Sequence, residues 1–249
     1  MKNDDEQVGL ILSRRDALKV LGIGSAAFLA ACGPSISNTS QPLSASSLPD
    51  STGNSLPSCI VRPAMTEGPY FVDEMLNRSD VRSDPSDGTL KPGLPLSLKF
   101  NILKVGDNAC SQLPGAQVDV WHCDALGVYS DAQDPSFNTK GRKFLRGYQT
   151  TDSNGLAQFT TIYPGWYQGR TVHIHFKIRI KAYEFTSQLF FDDTLTDQVF
   201  TQMPYSRKGP RSVRNADDGI YQNGGGQLLL NVTPGKDLYS TGFNIGLQM

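Results

Sequence analysis

From Val172 to Ile180 the chain alternates apolar and polar residues without a break: Val172, Ile174, Phe176, Ile178 and Ile180 against His173, His175, Lys177 and Arg179. A period of two is the side-chain period of a β-strand and fits no helix. The pattern sets an apolar face towards a core and a polar face away from it. Two of the chain's three histidines, His173 and His175, then stand side by side on the polar face. Just upstream, Pro164-Gly165 turns the chain and lets Tyr167 and Arg170 come near the same spot.

Other stretches repeat the period. Leu96, Leu98, Phe100 and Ile102 form one apolar face, and Gln117–Cys123 points Val118 and Val120 inward. Gln158–Ile162, Glu184–Phe191, Gln227–Val232 and Leu238–Leu247 read as further strands. Turns fall at Leu113-Pro114-Gly115 and at Asp152-Ser153-Asn154-Gly155. Gly68-Pro69 breaks any ladder near Thr66–Phe71, and a long polar loop runs from Asp131 to Arg146. Asp217-Asp218-Gly219 and Asn223–Gly226 also read as loop. Beyond residue 35 the only helix candidate is Asp193–Tyr205. The expected fold is all-β: a β-sandwich of about seven or eight strands with long functional loops and at most one or two short helices. The chain of 249 residues, 38% hydrophobic, suffices for one full-sized core, and a net charge of -1 argues against a nucleic-acid partner.

The N-terminus reads as an address. Arg14-Arg15 precedes the uncharged, mostly apolar run Val20–Ala31, too short to cross a hydrocarbon core of about 30 Å. The arginine pair resembles a twin-arginine export signal, and Leu29-Ala30-Ala31-Cys32 resembles a lipobox with Cys32 as the lipidated residue. Residues 33–58 are Ser- and Pro-rich and read as a disordered tether. The expected organisation is a signal over 1–32, a tether over 33–58 and a catalytic domain over 59–249. The expected location is the cell envelope, with membrane contact only through the lipid at Cys32, or secretion without lipidation. Export favours one disulfide, with Cys59 paired to Cys110 or Cys123; a thiol nucleophile is the weaker reading.

Two histidines at i and i+2 are a candidate metal site or simply exposed polar residues. The neighbouring tyrosines decide what metal they would suit. A phenol with a pKa of about 10 is a poor ligand for a divalent ion at neutral pH. A hard, trivalent iron displaces its proton. His122 alternates onto the Val118/Val120 face and reads as structural, and Tyr70 and Tyr148 read as pocket or packing residues.

Trp121–Ser130, Thr151–Gly155, Tyr163–Tyr167 and His173–Phe176, in that order, resemble the signature of the intradiol ring-cleavage dioxygenases, among them the protocatechuate and catechol dioxygenases. The resemblance covers roughly residues 59–247. It implies one Fe(III) per subunit, with Tyr129 and His173 as equatorial ligands and Tyr167 and His175 as axial ones. Tyr163 is the reserve for the axial tyrosine. It places Arg170 beside the substrate and Gln188 near a glutamine just outside the ligands. Thr66–Phe71, with Gly68, Pro69 and Tyr70, falls where the family lines its substrate pocket. The implied reaction is cleavage of a catechol-type diol by O2, between the hydroxylated carbons, to a cis,cis-muconate-type dicarboxylic acid. Tyr167 is implied as a proton acceptor that leaves the metal, and Arg170 as the cation that steadies the carbanion-like ring. The family often pairs subunits, so a homodimer is a further expectation. Two rivals stay open: a non-catalytic, surface-anchored β-sandwich binding module, and a zinc hydrolase using His122, His173 and His175.

Overall fold

A computed structural model describes residues 60–106 and 109–249. The expected export signal over 1–32 with Cys32, the expected tether over 33–58, and Cys59 lie outside the described residues.

Two four-stranded sheets carry the fold. The first is organised on β1 (Pro95–Val105), which pairs in parallel with β10 (Tyr239–Leu247) along one edge. Along its other edge β1 pairs antiparallel with β2 (Cys110–Gln112) and with β7 (Leu156–Ile162). The second sheet runs β6-β3-β8-β9, all antiparallel, from β6 (Arg146–Thr150) through β3 (Gln117–Trp121) and β8 (His173–Ile180) to β9 (Tyr183–Phe190). The sheets meet face to face: Phe176 of β8 lies 5.3 Å from Phe100 of β1 and 5.6 Å from Phe243 of β10, ring centre to ring centre. Leu96, Leu98, Phe100 and Ile102 from one side, and Val118, Ile174, Phe176 and Ile178 from the other, are all fully buried. Period-two patterning thus becomes a sandwich core.

The long loop from Asp131 to Arg146 contains a minimal hairpin, β4 (Gln133–Asp134) with β5 (Phe137–Asn138). Thr139 fastens it, its hydroxyl donating to Tyr129 O at 2.6 Å while its amide donates to Ala132 O at 2.9 Å. The helix Asp193–Phe200 is capped by Asp192, whose carboxylate accepts from Leu195 N at 2.9 Å. It stops before Tyr205, which sits in a separate 3-10 turn, Tyr205–Lys208.

Two expectations of secondary structure need correction, and one open alternative, an exposed histidine face, is excluded. Gln227–Val232 is not a strand: Gly225–Leu228 is a 3-10 turn, and a single bridge joins Leu229 to Phe190. Gly224, at φ 112°, starts that turn in a conformation that a strand does not use. Asp217–Gly219 is not plain loop, because Asp218 caps a short helix, Gly219–Gln222. The polar face of β8 does not look into solvent: His173 is 2% exposed, His175 0% and Lys177 8%. Distant segments cover it. Met65 N donates to Thr186 O, Ser187 Oγ to Pro63 O, and Leu230 N to Phe190 O. Cys110 is disulfide-bonded, whereas Cys123 is free and buried with its thiol on Gly165 O at 3.4 Å. Cys123 therefore drops out as a disulfide partner, and the expected pairing with Cys59 falls on a residue outside those described.

Candidate active site

His173 and His175 leave β8 on the same face, and their Nε2 atoms lie 3.0 Å apart. The Nδ1 of His173 faces Thr171 O at 2.7 Å. A carbonyl only accepts, so Nδ1 carries the proton and Nε2 presents its lone pair. Trp121, opposite His175 in the β3–β8 ladder, stacks on the His175 ring at 5.0 Å and 8° and fixes its plane. Burial, first, and the Arg170 charge hold His173 well below the ordinary histidine range. Burial followed by His173 and Arg170 does the same to His175. Both rings are therefore neutral, the state in which imidazole binds metal.

Two phenols close on this pair from loops. Tyr129 follows the turn Asp124–Val128, which Asp124 knits by accepting Leu126 N at 2.9 Å and Val128 N at 3.0 Å. Tyr167 follows the Pro164-Gly165 turn. The Tyr129 ring is 5.6 Å from Tyr167 and 6.3 Å from His175, and Tyr167 is 5.6 Å from His173. Tyr129 is 1% exposed, and its hydroxyl has no hydrogen-bond partner of proper geometry although the Tyr167 phenol is close. Burial, and then that neighbouring phenol, push the Tyr129 pKa up. The two tyrosine loops are stapled together by Lys208, which donates to both Leu126 O and Trp166 O. Gly127, at φ +83°, lies against Trp166 O and Lys208 Nζ so closely that a Cβ would collide with both.

The donor set suits a trivalent iron. Two nitrogens bonded to one ion at about 2.0–2.1 Å and at a right angle lie about 3 Å apart, which is the separation seen. An unpartnered buried phenol costs stability unless a cation takes its oxygen. No group of three His, Cys, Asp or Glu side chains gathers anywhere among the described residues. His122 cannot be a third zinc ligand with the other two. Its Nδ1 is on Cys123 O at 2.8 Å and its Nε2 on Thr161 Oγ1 at 2.6 Å, so both nitrogens are occupied on the core side. Tyr163 is likewise elsewhere: its hydroxyl bonds Thr196 Oγ1 at 2.7 Å and its ring packs 4.4 Å from Phe191.

Arg170 is 8% exposed beside the phenols. Burial works against its charge, but Tyr167 and Asp218 outweigh it and raise the pKa. Its Nη2 donates to Gln188 Oε1 at 2.7 Å, and Gln188 Nε2 donates to Thr66 O at 2.9 Å. Gln188 thereby ties Arg170 to the Thr66–Phe71 loop. In that loop Gly68, at φ +72°, passes so near His175 that an added Cβ would sit 3.1 Å from its Cε1. Pro69 is exposed, and Tyr70 stacks on Tyr129 at 4.4 Å. The Tyr70 hydroxyl donates to Asp134 Oδ2 at 2.8 Å, and its ring lies 6.2 Å from Phe137, so the β4–β5 hairpin forms part of the rim. Tyr148 pairs with Asp119 in the β3–β6 ladder, and its amide donates to Leu76 O. Sequence reasoning missed Trp121, Asp134 and Asp218. Trp121 sat inside the recognised motif, and its place opposite His175 follows once β3 and β8 are paired. Asp218 carried only the weak signal of an Asp before a Gly.

A family model described as "Dioxygenase" matches residues 66–209. A catechol 1,2-dioxygenase of Candida albicans is 30% identical over 146 residues, which is 49% of this chain and 43% of that protein. This chain thus spans under half the length of that relative. A solved intradiol ring-cleavage dioxygenase from Tetranychus urticae superposes with a TM-score of 0.68 at 30% identity, covering 76% of this chain and 95% of that one. The dioxygenase domain of a dioxygenase carbohydrate-binding protein fusion from Streptomyces sp. SirexAA-E gives a TM-score of 0.55 at 28% identity, covering 76% and 99%. With the family model spanning more than half of its residues and the β-sandwich shared with solved members, the chain belongs to the intradiol ring-cleavage dioxygenases.

Proposed function

We propose that this protein cleaves a catechol-type diol with O2, using one Fe(III) held by Tyr129, Tyr167, His173 and His175. The observation that carries the reading is the 3.0 Å approach of the two histidine Nε2 atoms next to the unpartnered Tyr129 hydroxyl. When bound, Fe(III) supplies Lewis acidity that draws electron density from a chelated diol and prepares it for oxygen.

The chain's own groups do the rest. A catechol must lose two protons to chelate: Tyr167, a half-buried residue that would be a phenolate when it holds the Fe(III), would accept one, and the other would pass to solvent. Tyr129, stacked under Tyr70 and buried, stays in place. Arg170 puts a fixed positive charge where the opening ring gathers negative charge. Tyr70 and Phe137 form an aromatic wall for the ring, and Gly68 lets the wall loop close over His175. The overall change adds both oxygen atoms of O2 to the diol and gives a cis,cis-muconate-type dicarboxylic acid. A non-catalytic binding module would need neither a buried imidazole pair nor a buried unpartnered phenol. For residues 1–32 we propose twin-arginine export with lipidation at Cys32, which would set the domain at the cell envelope on the 33–58 tether.

Oxygen uptake by the ferric-loaded protein, with simple, carboxylated, trihydroxylated and bulky aryl catechols, tests the reading. Uptake matched by a muconate-type product is expected for at least one of them. No uptake with any, from folded protein carrying iron, would refute it.

A further inference from the structure

Asp218 has no part in the chemistry above, yet it is 2% exposed and its carboxylate is fully used. One oxygen accepts Arg170 Nε at 2.9 Å and Thr171 N at 2.8 Å. The other accepts Ile220 N at 2.8 Å and Tyr221 N at 3.2 Å. A carboxylate offers about four lone-pair positions, so this one has no freedom to swing. We propose that Asp218 is a positioning residue that locks the Arg170 guanidinium in the orientation in which it meets the substrate.

The inference rests on the reading of the site as a diol-binding iron centre. The guanidinium is planar and rigid, so two fixed bonds define its plane. Asp218 takes Nε and Gln188 takes Nη2, on elements 30 residues apart in sequence, 188 and 218. Gln188 is itself pinned, its amide donating to Thr66 O. Nη1 makes no hydrogen bond to the described residues and is the end left to face a ligand. The same Asp218 oxygen holds Thr171 N, and Thr171 O receives His173 Nδ1, so the lock and the imidazole share one backbone anchor. Capping the short Gly219–Gln222 helix would explain two of the four bonds but not the two to Arg170 and Thr171.

The test is a double-mutant cycle with Asp218→Asn, Arg170→Ala and both, reading kcat, KM, the visible spectrum and anaerobic catechol binding. Loss of a buttress behind a working group costs about 10–100-fold. Asp218→Asn is expected to lose that much in kcat while KM, the spectrum and catechol affinity stay within threefold. In the Arg170→Ala background it is expected to cost nothing more. Asp218→Glu, which keeps the charge but moves the carboxylate by one methylene, is the second variant should the first not fold, with about a tenfold fall in kcat. Wild-type kcat in either folded variant, or an undiminished extra loss on top of Arg170→Ala, would overturn the proposal and leave the iron site intact. A wild-type protein with neither iron spectrum nor oxygen uptake would sink the proposed function, and this inference with it.

Discussion

The two faces of β8 are built by opposite rules. On the inner face Ile174, Phe176 and Ile178 pack among Phe100, Phe159 and Phe243, and shape is the only requirement. On the outer face His173, His175 and Lys177 are about as deeply buried, but each polar atom must find a partner. Lys177 finds Glu67 and the Phe71 ring, and His173 finds Thr171 O. The Tyr129 hydroxyl and His175 Nδ1 find none. Of the buried polar atoms without a hydrogen-bond partner among the described residues, the Tyr129 hydroxyl and His175 Nδ1 lie together beside a second imidazole, which marks that place for a ligand. Substitutions on the inner face should therefore change stability, and those on the outer face should change metal binding and rate.

The sharpest break is His173→Ala. It should abolish iron loading, and with it the visible charge-transfer band that tyrosinate bound to Fe(III) would give, and cut turnover by about a thousandfold or more, since a bound Lewis acid is worth several kcal/mol. Iron analysis and absorption check it, and an unchanged spectrum would show that His173 is not a ligand. Tyr167→Phe comes next: iron retained, turnover down by about 10²–10⁴-fold through loss of a proton acceptor. Oxygen uptake at matched iron content measures it. On the inner face Phe176→Ala should cost about 3–5 kcal/mol in urea unfolding, through a cavity between the sheets. Whatever stays folded should keep its colour.

A smaller effect separates His122 from the other two histidines. Burial holds its pKa down at about 4 against an ordinary 6.5. The unfolded chain therefore takes up a proton that the folded chain refuses. The stability this confers is complete above pH 6.5 and is lost as pH falls towards 4, about 3 kcal/mol in all. In iron-free protein His122→Gln should flatten the stability profile by about that much over the window, measured by urea unfolding at several pH values. An unaltered slope would mean that His122 is not the buried neutral group described.

The contrast between the faces also explains what could be read beforehand. The apolar face of β8, the β1 face and the β10 face follow from period two alone, because a core requires only that alternation. The four candidate ligands were legible because Gly-Val-Tyr-Ser, Pro-Gly-Trp-Tyr and His-Ile-His keep their spacing in the chain. The burial of the outer face was not, since its cover comes from Pro63–Phe71 and from 215–230, far away in sequence. Alternation states that a face is polar, not what lies on it. Asp218 was missed for the same reason: its partner Arg170 is 48 residues away. Gln227–Val232 misled because an apolar run after three glycines looks like a strand, whereas it meets β9 through a single bridge, Leu229 to Phe190.

The most direct test of the account is the visible spectrum of the ferric-loaded protein together with its iron content. The account predicts about one iron per chain and a phenolate-to-iron charge-transfer band that shifts when a catechol is added without oxygen. A folded protein that stays colourless after exposure to ferric ion, or that retains zinc in its place, would contradict it.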